Sequence, residues 1–133
     1  MKGFIPYSTS DGRVPPWEYL PAGAITPKVG LALYLSSGVF AVATGTQKPT
    51  HICMRDEAAA VTSGTVIPVI AVQPDIIFET ENSASLNGVN IGQAVTIASD
   101  GMRATGTTSS GVATIVEKAA GTGTGNRTLV KFL

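Results

Sequence analysis

Thr65-Val66-Ile67-Pro68-Val69-Ile70-Ala71-Val72-Gln73-Pro74-Asp75-Ile76-Ile77-Phe78-Glu79-Thr80 is the most apolar and most β-branched stretch of the chain. Its Val and Ile side chains are stiff at χ1 and suit a pleated, buried surface. Gln73-Pro74-Asp75 interrupts the run with turn chemistry before Ile76, Ile77 and Phe78 resume it, so two strands are expected here. Pro68 and Pro74 cannot donate to a ladder, which predicts strands that bend or lie at a sheet edge. Apart from the lone acids Asp75 and Glu79, the stretch carries no nucleophile, metal ligand or paired acid and base. It reads as a scaffold that holds a barrel closed, and the working surface is sought elsewhere.

Outward from this run the chain reads as short strands separated by Gly, Ser, Asn and Asp. Val29 to Leu35 and Val39 to Thr44 form an expected hairpin with Ser36-Ser37-Gly38 as a three-residue loop. Thr50 to Arg55 is a strand with Ile52 and Met54 on one face and His51, Cys53 and Arg55 on the other. The alanines of Asp56 to Val61 suit one short helical turn, broken by Thr62-Ser63-Gly64. Ala94 to Ala98 and Met102 to Thr105 flank Ser99-Asp100-Gly101, where Asp-Gly supplies the positive φ of a tight hairpin. Val112 to Lys118 and Thr128 to Leu133 complete the set, with loops at residues 107–111 and 119–126. This spacing predicts an all-β fold, a small β-barrel or sandwich, with at most one short helix.

Residues 1–24 differ from the β domain expected over 25–133. They hold Pro6, Pro15, Pro16 and Pro21 together with Phe4, Tyr7, Trp17 and Tyr19, and the prolines forbid a helix or a central strand through most of the segment. An extended arm is expected. Fixing so long a stretch costs more conformational entropy than its few apolar side chains return, so the arm needs a long backbone-paired track or another chain to lie on. On the second alternative, truncating residues 1–24 leaves the β domain folded. On a third, the arm folds back on its own domain and Trp17 plugs the core. Trp and Tyr are enriched among interface anchors, and Phe4, Tyr7, Pro15, Pro16, Trp17, Tyr19 and Leu20 are the candidate partner-binding residues.

Composition narrows the function classes. The 133 residues hold 9 Lys+Arg against 9 Asp+Glu, so the chain-wide attraction that drives nonspecific binding to nucleic acid or anionic membranes is missing. Only 14% of residues are charged, a composition that favours a surface covered by copies of itself or by a partner. Neither a secretory leader nor a run of the ~20 apolar residues that span a bilayer is read, so synthesis inside the cell is expected, with no nucleic-acid and no membrane partner.

The chemistry-bearing motifs are thin. Cys53 is the only cysteine, so an internal disulfide is excluded, and a small buried apolar side chain is the expected role. His51 and Cys53 share a strand face near Asp56 and Glu57, but a zinc site needs three or four ligands of this kind and a Cys-His nucleophile pair needs an orienting group and an oxyanion hole. Gly121-Thr122-Gly123-Thr124-Gly125-Asn126 lacks the fingerprint of either phosphate-binding loop, and a strand follows it where a helix is required. Asn126-Arg127-Thr128 matches a glycosylation acceptor by pattern alone. No catalytic residue, metal site or cofactor is assigned, and no enzyme activity is expected.

An ordered series of short motifs carries a likeness. Pro15-Pro16-Trp17-Glu18-Tyr19-Leu20-Pro21-Ala22 is followed by Lys28-Val29-Gly30-Leu31-Ala32-Leu33, Ser37-Gly38-Val39 and Lys48-Pro49-Thr50-His51-Ile52. Val66 to Val72, Phe78-Glu79-Thr80 and Asp100-Gly101 complete it. The series, which covers most of the chain, resembles the capsid decoration (cement) proteins of tailed bacteriophages. The resemblance implies a β-rich body on the outer surface of the virion head, made in the host cytoplasm and commonly a homotrimer at threefold positions. It implies a structural role in which the protein bridges major capsid protein subunits and holds the shell against internal pressure, often through an N-terminal arm. Another phage structural module, such as a head-fibre base or tail component, is the alternative, and a soluble binding module a third.

Overall fold

The computed structural model describes residues 3–133; Met1 and Lys2, the first residues of the expected arm, lie outside them. Among the described residues ten strands run in chain order: β1 (Ile5–Ser8), β2 (Glu18–Pro21), β3 (Ala32–Ser36), β4 (Val39–Val42), β5 (His51–Cys53), β6 (Val66–Ala71), β7 (Ile77–Glu81), β8 (Ala94–Val95), β9 (Ala113–Glu117) and β10 (Arg127–Phe132). They form two five-stranded sheets, β1-β7-β10-β9-β8 and β2-β6-β5-β3-β4, with every ladder antiparallel. The fold is all-β, a sandwich-like pair of sheets, and the barrel alternative falls away because the sheets do not close into one. In the second sheet the outermost strands meet at a single parallel bridge, Ala22 with Phe40, so that sheet curls without sealing.

The central apolar run divides at Gln73-Pro74-Asp75 into β6 and β7, and the turn carries the chain from one sheet to the other. β6 shows almost no alternation because both of its faces are buried. Ile70 joins Phe4, Ile52, Phe78 and Phe132 in one cluster, while Ile67 and Val69 join Leu33, Phe40 and Cys53 in a second. Phe132 is the hub of the first cluster, edge-on to Phe4 at 5.1 Å between ring centroids and tilted against Phe78 at 5.3 Å.

The expectation of an edge at Pro68 is overturned, since β6 lies between β2 and β5. The ladder tolerates this proline because β5 ends at Cys53, opposite Val69, one residue short of it. The Pro68 carbonyl accepts from the Met54 N–H at 3.0 Å on the β5 side, and the missing N–H points the same way, past the end of that strand. Two other expectations change. Ser36 pairs with Val39, so the hairpin loop is the two residues Ser37-Gly38, with φ of 51° and 83°, the turn that matches strand twist best. Residues 56–61 form no helical turn. Three alanines cannot meet the cost of helix nucleation, and the N–H groups of Glu57 and Val61 donate instead to the carbonyls of Pro27 and Ile25, both at 2.9 Å.

The Asp-Gly turn is present, but its flanking strands shrink: β8 keeps only Ala94–Val95, and residues 102–105 form no strand beyond the isolated bridges of Ala104 with Ile97 and Asn82, since Ala104 N–H donates to Glu81 O instead. Gly101 has φ 70°, Ala98 N–H donates to Arg103 O at 2.8 Å, and the Asp100 carboxylate accepts from Met102 N–H and Arg103 Nε, both at 2.8 Å. The Gly-Thr loop is tied down by buried Asn82, whose Nδ2 donates to Gly123 O at 2.8 Å and whose Oδ1 accepts from Asn126 N–H at 2.7 Å.

Residues 1–24 were expected to need a backbone-paired track or another chain, and the described part finds paired tracks in both sheets. β1 pairs with β7 and β2 with β6, each as an outermost strand. Proline is compatible with both places because an edge strand needs donors on one side only. Ala22 N–H donates to Thr65 O across the β2–β6 ladder while Gly23 N–H turns the other way, to Phe40 O. By alternation the missing N–H of Pro21 falls on the open side.

Candidate functional site

The seven residues singled out for partner contact divide by burial. Phe4 is fully buried and packs on Phe132, Pro15 is buried, and Leu20 is half-buried against the second cluster. Tyr7, Pro16, Trp17 and Tyr19 are exposed, Tyr19 most of all at 63%.

The strand register explains why Trp17 and Tyr19 stand out from the surface. Tyr19 pairs with Pro68 and Pro21 with Val66, so Tyr19 and Val66 lie diagonally on one face of the β2–β6 pair, and Trp17, two residues earlier, continues that side. Leu20 takes the other face, toward the second cluster. Trp17, Tyr19 and Val66 are each more than half exposed, which makes an uncovered apolar strip along the free edge of the second sheet. Val66 could not be assigned to it from sequence, because within an unbroken apolar run it looks like core; only pairing with β2 reveals that it lies beyond the covered part of the face.

Across the same margin of the sandwich, a groove of about 250 Å³ is lined by Pro6, Tyr7, Ser8, Thr9, Gly12 and Val14. The Tyr7 ring is held from one side by the Arg127 guanidinium, 4.9 Å from its centroid. Arg127 also pairs with Glu117 at 3.0 Å and Glu79 at 3.5 Å. Val14, like Val66, had no signal in the sequence that set it apart from a linker residue.

His51 and Cys53 do share a strand face, but their surroundings separate them. His51 stacks edge-on against Phe40 at 5.0 Å, and its Nε2 lies 3.5 Å from Glu18 Oε1 and its Nδ1 2.9 Å from Thr50 Oγ1. Cys53 is fully buried in the second cluster. Burial pushes its thiol pKa up, against a smaller opposing effect of backbone hydrogen bonding at Arg55, and in its protonated form Sγ donates to Arg55 O at 3.4 Å. A thiol so placed is a poor nucleophile at neutral pH. We expect Cys53 to resist a disulfide reagent such as Ellman's in the native protein at pH 8 and to react fully once guanidinium unfolds the chain; rapid reaction of the native form would show that the curled sheet opens. Among the described residues no three His, Cys, Asp or Glu side chains are grouped to hold a metal ion.

Fold and site together define a class, a β-sandwich with an aromatic strip on one sheet edge. No model of a known protein family matches the chain, and no curated protein is significantly similar to it.

Proposed function

We propose that this chain is a structural capsid decoration protein of a tailed bacteriophage, binding the outer surface of the head and bridging major capsid protein subunits. The observation that carries the proposal is the group of uncovered apolar side chains Trp17, Tyr19 and Val66 at and beside the β2–β6 pair. Exposed large apolar groups in a contiguous row mark interaction surfaces, and Trp and Tyr bring large contact area at small entropy cost. The motif series that resembles decoration proteins selects a shell as the partner, and self-association as a homotrimer belongs to the same proposal. Many copies around a closed shell turn modest individual contacts into firm attachment.

Purified protein mixed with undecorated expanded capsids is expected to bind saturably and to raise the temperature at which the particles break. Replacement of both aromatic anchors, Trp17→Ser with Tyr19→Ser, should weaken that binding by tenfold or more, since each anchor of this kind contributes on the order of 1 to 2 kcal/mol. The melting temperature of the free protein should change little, because both side chains are exposed. Unchanged capsid affinity in the double variant would remove the strip from the interface, and absence of binding by the intact chain would refute the function.

A further inference from the structure

We infer that residues 9–14 form a strap walling the Tyr7–Val14 groove, latched to the body by the Asp75 carboxylate and released by acid. The inference stands apart from what Trp17 and Tyr19 bind.

The chain crosses between the sheets twice at one margin. Residues 9–17 carry it from β1 to β2, and residues 72–76 carry it from β6 to β7. Because β1 lies beside β7 and β2 beside β6, the two crossings run next to each other. The first is folded largely on itself: Gly12 N–H donates to Thr9 O at 3.3 Å, and Asp11 Oδ1 accepts from Arg13 N–H at 2.9 Å and Thr9 Oγ1 at 3.2 Å. It is tied to the second crossing through Ser10, whose Oγ–H and N–H both donate to Asp75 Oδ2, at 2.7 and 3.3 Å.

Pro15 is buried and pins the far end, so the span from Thr9 to Val14 is held between that proline and the latch. The strap is itself one wall of the groove, through Thr9, Gly12 and the half-exposed Val14, and β1 the other, through Pro6, the half-exposed Tyr7 and Ser8. A hydrogen bond to an ionised acceptor is stronger than one to its neutral form, and protonation of Asp75 therefore loosens both contacts at once.

The groups facing Asp75 are the two Ser10 donors from the strap and Lys131 from β10. The Ser10 side-chain hydrogen bond, then its backbone bond, depress the Asp75 pKa, and Lys131 adds a smaller effect of the same sign. The latch is thus fully engaged above the ordinary aspartate pKa. It weakens as the pH falls through that value and is gone below the depressed pKa of the closed strap.

Amide exchange across residues 8–14 of the full-length protein, scaled to the intrinsic rate at each pH, tests this. In the wild type, protection should be present at neutral pH and fall severalfold in acid while the β10 amides stay protected. Asp75→Ala and Ser10→Ala should each give the loosened strap at every pH, with severalfold faster trypsin cleavage after Arg13 at neutral pH and an unchanged far-ultraviolet spectrum. Asp75→Asn, which keeps an acceptor but cannot titrate, should abolish the acid step. Persistence of that step in Asp75→Asn, or wild-type protection in both Asp75→Ala and Ser10→Ala, would overturn the inference.

Discussion

Removal of residues 1–24 is expected to abolish the cooperative unfolding transition of the protein, read by thermal circular dichroism, and to collapse the dispersion of its amide spectrum. The reason is that the segment supplies an outermost strand to each sheet and the Phe4 ring to the first core cluster. Loss of a buried Phe side chain alone costs about 3 to 5 kcal/mol, a large share of the roughly 5 to 15 kcal/mol that holds a domain together. The truncation also strips the ladder partners from one side of β6 and β7, leaving two long apolar strands as open edges that invite aggregation. An arm resting on another chain predicts the opposite result, a folded truncated domain that has merely lost attachment. A sharp, reversible melt of the truncated chain would therefore show that the pairings of β1 and β2 add little to the body.

Gly30→Ala is expected to destabilise the protein by about 3 kcal/mol or more, measured by chemical denaturation, through two costs at one atom. Gly30 sits at φ 91°, and a Cβ there would lie 2.8 Å from both Gly3 Cα and Phe4 N. Those are backbone atoms, so no side chain can swing aside. The crossing is also bonded, with Phe4 N–H donating to Gly30 O at 2.8 Å and Gly30 N–H donating to Cys53 O at 2.9 Å. This one residue thus clips the start of the chain to the end of β5. Gly38→Ala separates the two costs, because Gly38 has φ 83° but open space around its missing Cβ. It should lose only the roughly 1 to 2 kcal/mol of a left-handed conformation. Equal effects at the two positions would mean that the Gly3–Gly30 crossing relaxes without cost.

Much of the secondary structure was legible because its causes are local. The division of the Thr65–Thr80 run follows from Gln73-Pro74-Asp75, and the Asp100-Gly101 turn from the φ that Gly101 supplies. What failed were inferences that needed to know a neighbour. Pro68 reads as an edge marker until β5 is seen to end one residue before it, and the alanines of residues 56–61 read as a helical turn until Pro27 and Ile25 offer their carbonyls.

The candidate surface divides the same way. Trp17 and Tyr19 declared themselves as aromatic residues in a proline-rich segment, whereas Val66 and Val14 joined them only through strand pairing and chain reversal. The Ser10–Asp75 contact spans 65 positions and leaves no trace in either local stretch.

By itself, then, the sequence determined an all-β chain, the position of most strands, the buried character of Cys53, and the concentration of exposed aromatic groups near the N-terminus. Those properties depend on side-chain stiffness, turn chemistry and hydrophobicity, which act over a few residues. The tertiary structure alone decided that the first segment is divided between two sheets, that one sheet curls around a second core, and which apolar residues remain uncovered. Such outcomes depend on register and on which strand lies beside which. They are set by the total burial of the folded chain, to which every distant segment contributes at once.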